Sequence, residues 1–566
     1  MTKFDSGEGV DPMLTSGDMR RGLAVPFALA LACLASAPAC MFGGSAKSLS
    51  IDPDRRGFEV PGHPVILFFV DGLRKDILDD VAASDKLPRL SRHLFDRGAR
   101  VRSALSGVPS VTYANATSML TGCWPSTHGV WANVWFDRDA LRTCNYETQR
   151  DKANEDSASP MIFEMIPKDL TATVSLAIHR GAKITLADSV TTGGTLAWLN
   201  WYAKREEKAD ELLAEQLFEI GEQAREIGEW PAFIAVHLPA VDHIGHVDGS
   251  DSEAYRSAVE NLDESIGGAL DAFARGGMLE SMTIVLTSDH GHHGAPLSFA
   301  LDRFLPQAIG TPALPSQEND GTRPFLERWG YYTSTNVVFT VTGEREASLH
   351  LRVHGEWKDR SSLAEILAFP EAPGEAARAS PLPERLLQSP AVDVVVVRAG
   401  ENSVQVHGRR GIAVIERSPA AADPLFSYSL LKGEDPLGYF DDAGLQAWIK
   451  AGAHASREWL ESTAEQAHPD LVPQLLLAFD HRRSGDVILF AAPGWDFSTK
   501  YRGGHGGIER EEMIVPLFFA GPGIRAGVEI KAARLVDIVP TLLDLTGTAA
   551  PAGARFDGVT LADFLR

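Results

Sequence analysis

Short apolar runs, each ending on an acidic or histidine-bearing turn, constrain this chain more than any other feature. Residues 64–70 are apolar throughout and end on Asp71-Gly72. Residues 233–238 lead into Asp242-His243-Ile244-Gly245-His246, and residues 282–287 into Ser288-Asp289-His290-Gly291. Late in the chain, Gly503-Gly504-His505-Gly506-Gly507 precedes the apolar run 514–519. Unbroken apolar runs of this length read as strands buried on both faces. Between 61 and 300 they alternate with helix-like segments, such as the amphipathic 203–228 and 252–275. That order predicts an α/β fold, a parallel sheet with helices on both faces. Carboxylates and imidazoles at the C-terminal ends of parallel strands converge on one sheet edge, where such folds keep their sites. Asp and His together suit zinc.

The stretch 107–122 joins this pattern. Small and polar residues lead into helix-like sequence, with Thr112 at or just before the helix start. Free backbone N–H groups and the helix dipole favour negative charge there. A hydroxyl at that place ionises if a metal or base takes its proton. Taken alone, Thr112 reads more readily as an N-cap and nothing more.

Six pieces in this order resemble the alkaline phosphatase superfamily, and within it the type I phosphodiesterase/nucleotide pyrophosphatase branch. They are Asp71-Gly72, Thr112 with Asn115, Thr121 through Gly129, Asp242 through His246, Ser288 through Gly291, and His505-Gly506. The resemblance covers roughly 61–300 and 480–566. It implies an alkaline-phosphatase-like parallel sheet sandwiched by helices, with an inserted cap. It also implies two Zn2+ ions, one on Asp71, Thr112, Asp289 and His290, the other on Asp242, His246 and His505. Such ions would lie about 4 Å apart. Thr112 would be the nucleophile of a double displacement through a phospho-threonine. The N–H after Thr112 and the amide of Asn133 would hold the non-bridging phosphate oxygens. Asp289 and His290 are adjacent, so they can share an ion only in an extended or turn conformation. Gly245 is expected to bend a loop so that Asp242 and His246 face one ion.

Two relatives of this fold are weighed against that reading. Cys123-Trp124-Pro125-Ser126 mimics the sulfatase signature, but in sulfatases the modified Cys stands where this chain has Thr112. Monoesterases near this branch add a K-x-R pair for the extra phosphate charge. The comparable place reads Ile178-His179-Arg180, with Lys183 a weak substitute for the absent Lys. A diester instead needs room, which Trp131, Trp135 and Phe136 are expected to line. The expected activity is therefore a phosphodiesterase. The alternatives are an alkaline phosphomonoesterase or an inactive binding protein on this fold.

Composition bounds the partners. The chain has 566 residues and a formal net charge of −23, which disfavours nucleic acid and anionic membranes. The expected substrate is a small phosphate ester or nucleotide-type molecule, not a nucleic acid duplex. Residues 1–40 read as an export signal: Arg20-Arg21, an apolar stretch to Leu34, and Ala37-Pro38-Ala39 before Cys40, with translation expected from Met19. Lipidation of Cys40 would attach the protein to a membrane, and 41–60 would be its tether. A periplasmic, envelope-anchored or secreted location follows. Of four Cys, the mature chain keeps Cys123 and Cys144. In an oxidising compartment these are expected to pair, closing ~20 residues at about 3 kcal/mol. The expected domains are 61–300 and 481–566 as the two parts of a catalytic domain, with 301–480 an inserted α+β cap. Within the second part, the run 486–490 is expected to resume the catalytic pattern.

Overall fold

The computed structural model describes residues 58–166, 169–186, 206–316, 323–357, 360–370, 380–418 and 423–566. The export signal, Cys40 and nearly all of the tether lie outside them.

The apolar runs pair as their composition demands. Val65–Val70 runs parallel to Phe233–Leu238 on one side and Thr283–Thr287 on the other. Thr171–Val174 and Ile184–Leu186 extend the sheet in parallel. Val65, Leu67 and Phe69 enter one core while Ile66, Phe68 and Val70 are as deeply buried on the opposite face. Layers on both faces explain why this strand has no polar alternation. The far side of the sheet is mixed rather than parallel. Leu517–Ala520 runs antiparallel to Thr283–Thr287, and Ala99–Leu105 follows it, also antiparallel.

A second nine-stranded sheet holds most of the segment between these parts. The run at 487 does not rejoin the first sheet as expected. Val487–Ala491 instead pairs antiparallel with Glu346–Leu351 and Val392–Arg398 at the middle of the second sheet. Its Ile488 and Phe490 enter the same core as Val65, while Val487 and Leu489 face the opposite side. A strand buried on both faces reads the same in either sheet, so composition could not assign it.

The structure does not contain the expected disulfide. Cys123 and Cys144 are buried free thiols. Cys123 Sγ lies 3.3 Å from the carbonyl oxygen of Arg555, whereas Cys144 pairs across a hairpin with Trp135. The two thiols thus belong to different packing environments, despite their closeness in sequence.

Candidate metal-binding active site

Strand register gathers the site. Val70 stands beside Leu238, and Phe69 beside Thr287, so Asp71, Asp242 and Asp289 leave neighbouring strands at one edge. Gly72 has φ +64, and a Cβ there would lie 2.8 Å from Asp242 Cβ. Only glycine lets the Asp71 turn close this tightly on Asp242. Asp242 and His246 are not on a bent loop as expected, but in the helix Ala240–Asp248. Four residues apart, they share one helix face. Gly245 serves packing instead of bending: its Cβ would sit 2.8 Å from the His292 ring.

Thr112 opens the helix Thr112–Thr121, and its N-cap is Val111. The hydroxyl therefore has no capping task and lies 3.2 Å from His290 Nε2. Asn115 Oδ1 accepts from Gly107 N–H at 2.6 Å and its Nδ2 donates to the Pro109 and Val111 carbonyls. That side chain fixes the loop that delivers Thr112. Asn133 Oδ1 accepts the Tyr113 N–H at 3.0 Å. The two groups expected to hold phosphate oxygens thus hold each other here, side by side at the helix start.

The predicted ligands form two neighbouring groups. His290 Nε2 lies 3.1 Å from Asp289 Oδ2 and 3.5 Å from Asp71 Oδ1. Asp242 lies 3.4 Å from His246 Nε2 and 3.8 Å from His505 Nε2. The His290 and His505 rings stack with centroids 3.6 Å apart, joining the groups. Asp289 and His290 are sealed from solvent, whereas Asp242 and His246 keep 18% and 14% of their side-chain surface exposed. Solvent therefore reaches the second group.

Metal ions fit these residues. Nδ1 of His290, His246 and His505 each faces a backbone carbonyl, of Gly291, Gly503 and Ser110. Nδ1–H donation there leaves each Nε2 lone pair aimed at carboxylate oxygen. Lone pairs facing carboxylates call for a cation between them. Asp71 Oδ1, Asp242 Oδ1 and Asp289 Oδ2 are buried without a hydrogen-bond partner. Burial, then the charges of Asp289 and Asp242, push the Asp71 carboxyl well above the usual carboxylate range. Ligand atoms at zinc distances of ~2.0–2.1 Å in a tetrahedron stand about 3.4 Å apart. The separations above lie close to that.

Three side chains outside the predicted set stand beside these groups. His237 Nε2 lies 2.8 Å from Asp71 Oδ2 and its Nδ1 faces the Ser175 carbonyl, so it orients that carboxylate. Glu344 lies on a turn of the second sheet at φ +71, with Oε2 3.4 Å from His246 Nδ1. Burial raises its carboxyl to about 7. His292 is buried beside Asp242. Only the strand-end position of His237 and the proximity of His292 to Asp289 hinted at the site; nothing local marked Glu344.

The expected aromatic lining is core instead. Trp131, Trp135 and Phe136 are each buried; Trp135 donates to Tyr146 and Phe136 packs on Tyr332 and Trp357. Tyr501, partly exposed, has its ring centroid 5.0 Å from that of His246. Arg180 is committed elsewhere, to Glu164 and to the carbonyls of Asn154, Ser157 and Ser159. Lys183 donates to the Asp169 carbonyl.

Residues 65–372 match the family described as type I phosphodiesterase / nucleotide pyrophosphatase. Over 239 residues the chain is 24% identical to an uncharacterised pyrophosphatase/phosphodiesterase of Schizosaccharomyces pombe, covering 40% of this chain and 44% of that one. It is 27% identical over 203 residues to alkaline phosphatase PhoK of a Sphingomonas species, covering 31% of this chain and 36% of that one. The solved structure of murine ectonucleotide pyrophosphatase/phosphodiesterase 5 superposes with a TM-score of 0.52 at 14% identity, covering 89% of this chain and all of that one. That likeness shows a shared fold. The chain spans less than half the length of the curated relatives it matches.

Proposed function

The chain belongs to the type I phosphodiesterase/nucleotide pyrophosphatase family, and from that premise we propose that it is an exported, two-zinc phosphodiesterase acting on small phosphate esters or nucleotide-type substrates. The observation that carries this reading is Thr112 Oγ1 at a helix start, 3.2 Å from His290 Nε2 and beside buried, unpartnered carboxylate oxygens. Zinc held by Asp71, Thr112, Asp289 and His290, and by Asp242, His246 and His505, would supply Lewis-acid activation of the reacting oxygens.

The chain's own residues do the rest. Thr112 Oγ1 bonds to phosphorus as the bond to the leaving oxygen breaks, and the hydroxyl proton departs with that oxygen. Water then attacks the phospho-threonine, the Thr112 Oγ1–P bond breaks, and a proton from water restores the hydroxyl. Tyr113 N–H and Asn133 Nδ2 exchange their present partners for the non-bridging oxygens. His237 keeps Asp71 in place, and Asn115 keeps the loop before Thr112 rigid. Carriage outside the cytoplasm and attachment through a lipidated Cys40 belong to the same proposal, resting on residues 19–40.

The preference for diesters rests on charge. A monoester dianion asks for an extra cation, and Arg180 and Lys183 are spent on backbone carbonyls and Glu164. Glu147 lies 3.4 Å from Asn133 Nδ2 and would repel a second phosphate charge. Similarity to an alkaline phosphatase keeps the monoesterase as the second reading. Comparing kcat/KM for a bis-aryl phosphate and its mono-aryl counterpart decides between them. The diester should be preferred, and a preference for the monoester would overturn the assignment.

A further inference from the structure

We propose that His292 is an additional protein ligand of the second metal position, through Nε2, alongside Asp242, His246 and His505. The proposal rests on the two-metal reading above. His292 is wholly buried, and its Nε2 has no hydrogen-bond partner. A polar nitrogen that deep is costly unless something binds it. Nε2 lies 3.7 Å from Asp242 Oδ1, itself buried and unpartnered. The same oxygen is 3.8 Å from His505 Nε2, so one carboxylate oxygen faces two imidazole nitrogens. Ligand atoms of Asp242, His246 and His292 all lie within 4.8 Å of one another.

The surrounding chain is shaped for this ring. A Cβ at Gly245 would meet His292 Nε2 and Cδ2 at 2.8 Å, and one at Gly503 would meet Cε1 at 3.0 Å. Two glycines from distant segments thus leave room for the imidazole beside the His246 helix. The His246 ring stands nearly perpendicular to it, with centroids 4.9 Å apart. His293, the next residue, is engaged elsewhere: Nε2 accepts from Gly494 N–H, and Nδ1 faces Glu511 Oε2 at 3.2 Å. With His292 included, the position has three imidazoles and one carboxylate, so substrate or water would bind as a fifth ligand.

The test is metal binding, read by chelator competition and by the visible spectrum of the cobalt-substituted protein. Wild type should bind two ions. His292→Phe, which fills the same space without a nitrogen, should weaken one ion by about 10- to 100-fold and shift the cobalt bands, leaving the other ion unchanged. His293→Phe should do neither. Gly245→Ala tests the same idea from the other side, because alanine favours a helix yet its Cβ would displace the His292 ring. It should weaken the same ion, and it decides the matter if His292→Phe fails to fold. Two ions of unchanged affinity and an unchanged cobalt spectrum in the folded variants would refute the role of His292 alone. Fewer than two ions in wild type would refute the two-metal reading beneath it.

Discussion

Thr112 shows how much one backbone position decides. As an N-cap its oxygen would be occupied by its own helix. As the first helical residue it is free of that bond and turns toward His290. Thr112→Ala should therefore lower kcat by about three orders of magnitude or more while both ions stay bound, since the Asp and His ligands all remain. Phosphorus-31 observation of trapped enzyme should find no phospho-threonine in that variant; near wild-type turnover would remove Thr112 as nucleophile. The grouping of Asp71, Asp242 and Asp289 with His246, His290 and His505 was legible because all but His505 follow apolar runs, and all six come in the order a known family uses. His237 and Glu344 were not, because each contacts a predicted ligand more than ninety positions away, Asp71 and His246 respectively. No local pattern records such a pairing.

Elements were legible where amphipathicity or a doubly buried apolar run marks them, and less so where identical runs compete for two sheets. The expected helix 203–228 appears as Glu206–Ile227, whereas 441–465 divides into Ala443–Lys450 and Ser456–Thr463 about a short strand. The first of these helices carries a burden its periodicity does not show. Asp210 on it is buried, accepts the Ala240 N–H at 3.3 Å, and is raised by that burial to about 8. It thereby holds the start of the helix that bears Asp242 and His246. The sign follows from linkage. The folded state binds this proton more tightly than the unfolded chain, so Asp210 costs nothing below its ordinary pKa near 4. The cost grows as pH rises toward about 8 and is constant above. Asp210→Asn keeps the acceptor and removes the charge. Its Tm should exceed that of wild type at pH 8–9, with the gain vanishing near pH 4; an equal gain at both would show that the carboxyl is not what titrates.

At the scale of the whole molecule, the second sheet packs into the first and reaches the candidate site. Its strands Val392–Arg398 and Val487–Ala491 share a core with the first sheet. Its turn at Gly343-Glu344-Arg345 clasps His505: His505 N–H donates to the Gly343 carbonyl at 2.6 Å, and Arg345 N–H to the His505 carbonyl at 3.1 Å. Arg345 is itself fully buried between Glu509 and Glu512. An ion on Asp242, His246 and His505 would therefore tie the first sheet's edge to a segment held by the second. Binding to the folded state alone stabilises it by about 2.7 kcal/mol per site at a hundredfold excess over Kd. Chelation should thus lower the melting temperature of the whole protein in one cooperative transition, and zinc should restore it in a concentration-dependent way. In Asp242→Asn the restoration should shrink to the part due to the first group, because the second loses its only charged ligand. Calorimetry of wild type and variant against free zinc measures both effects. A melting temperature indifferent to chelation would mean that the two sheets hold together without the ions. Separate transitions would mean that they unfold independently, and the clasp on His505 would then not couple them.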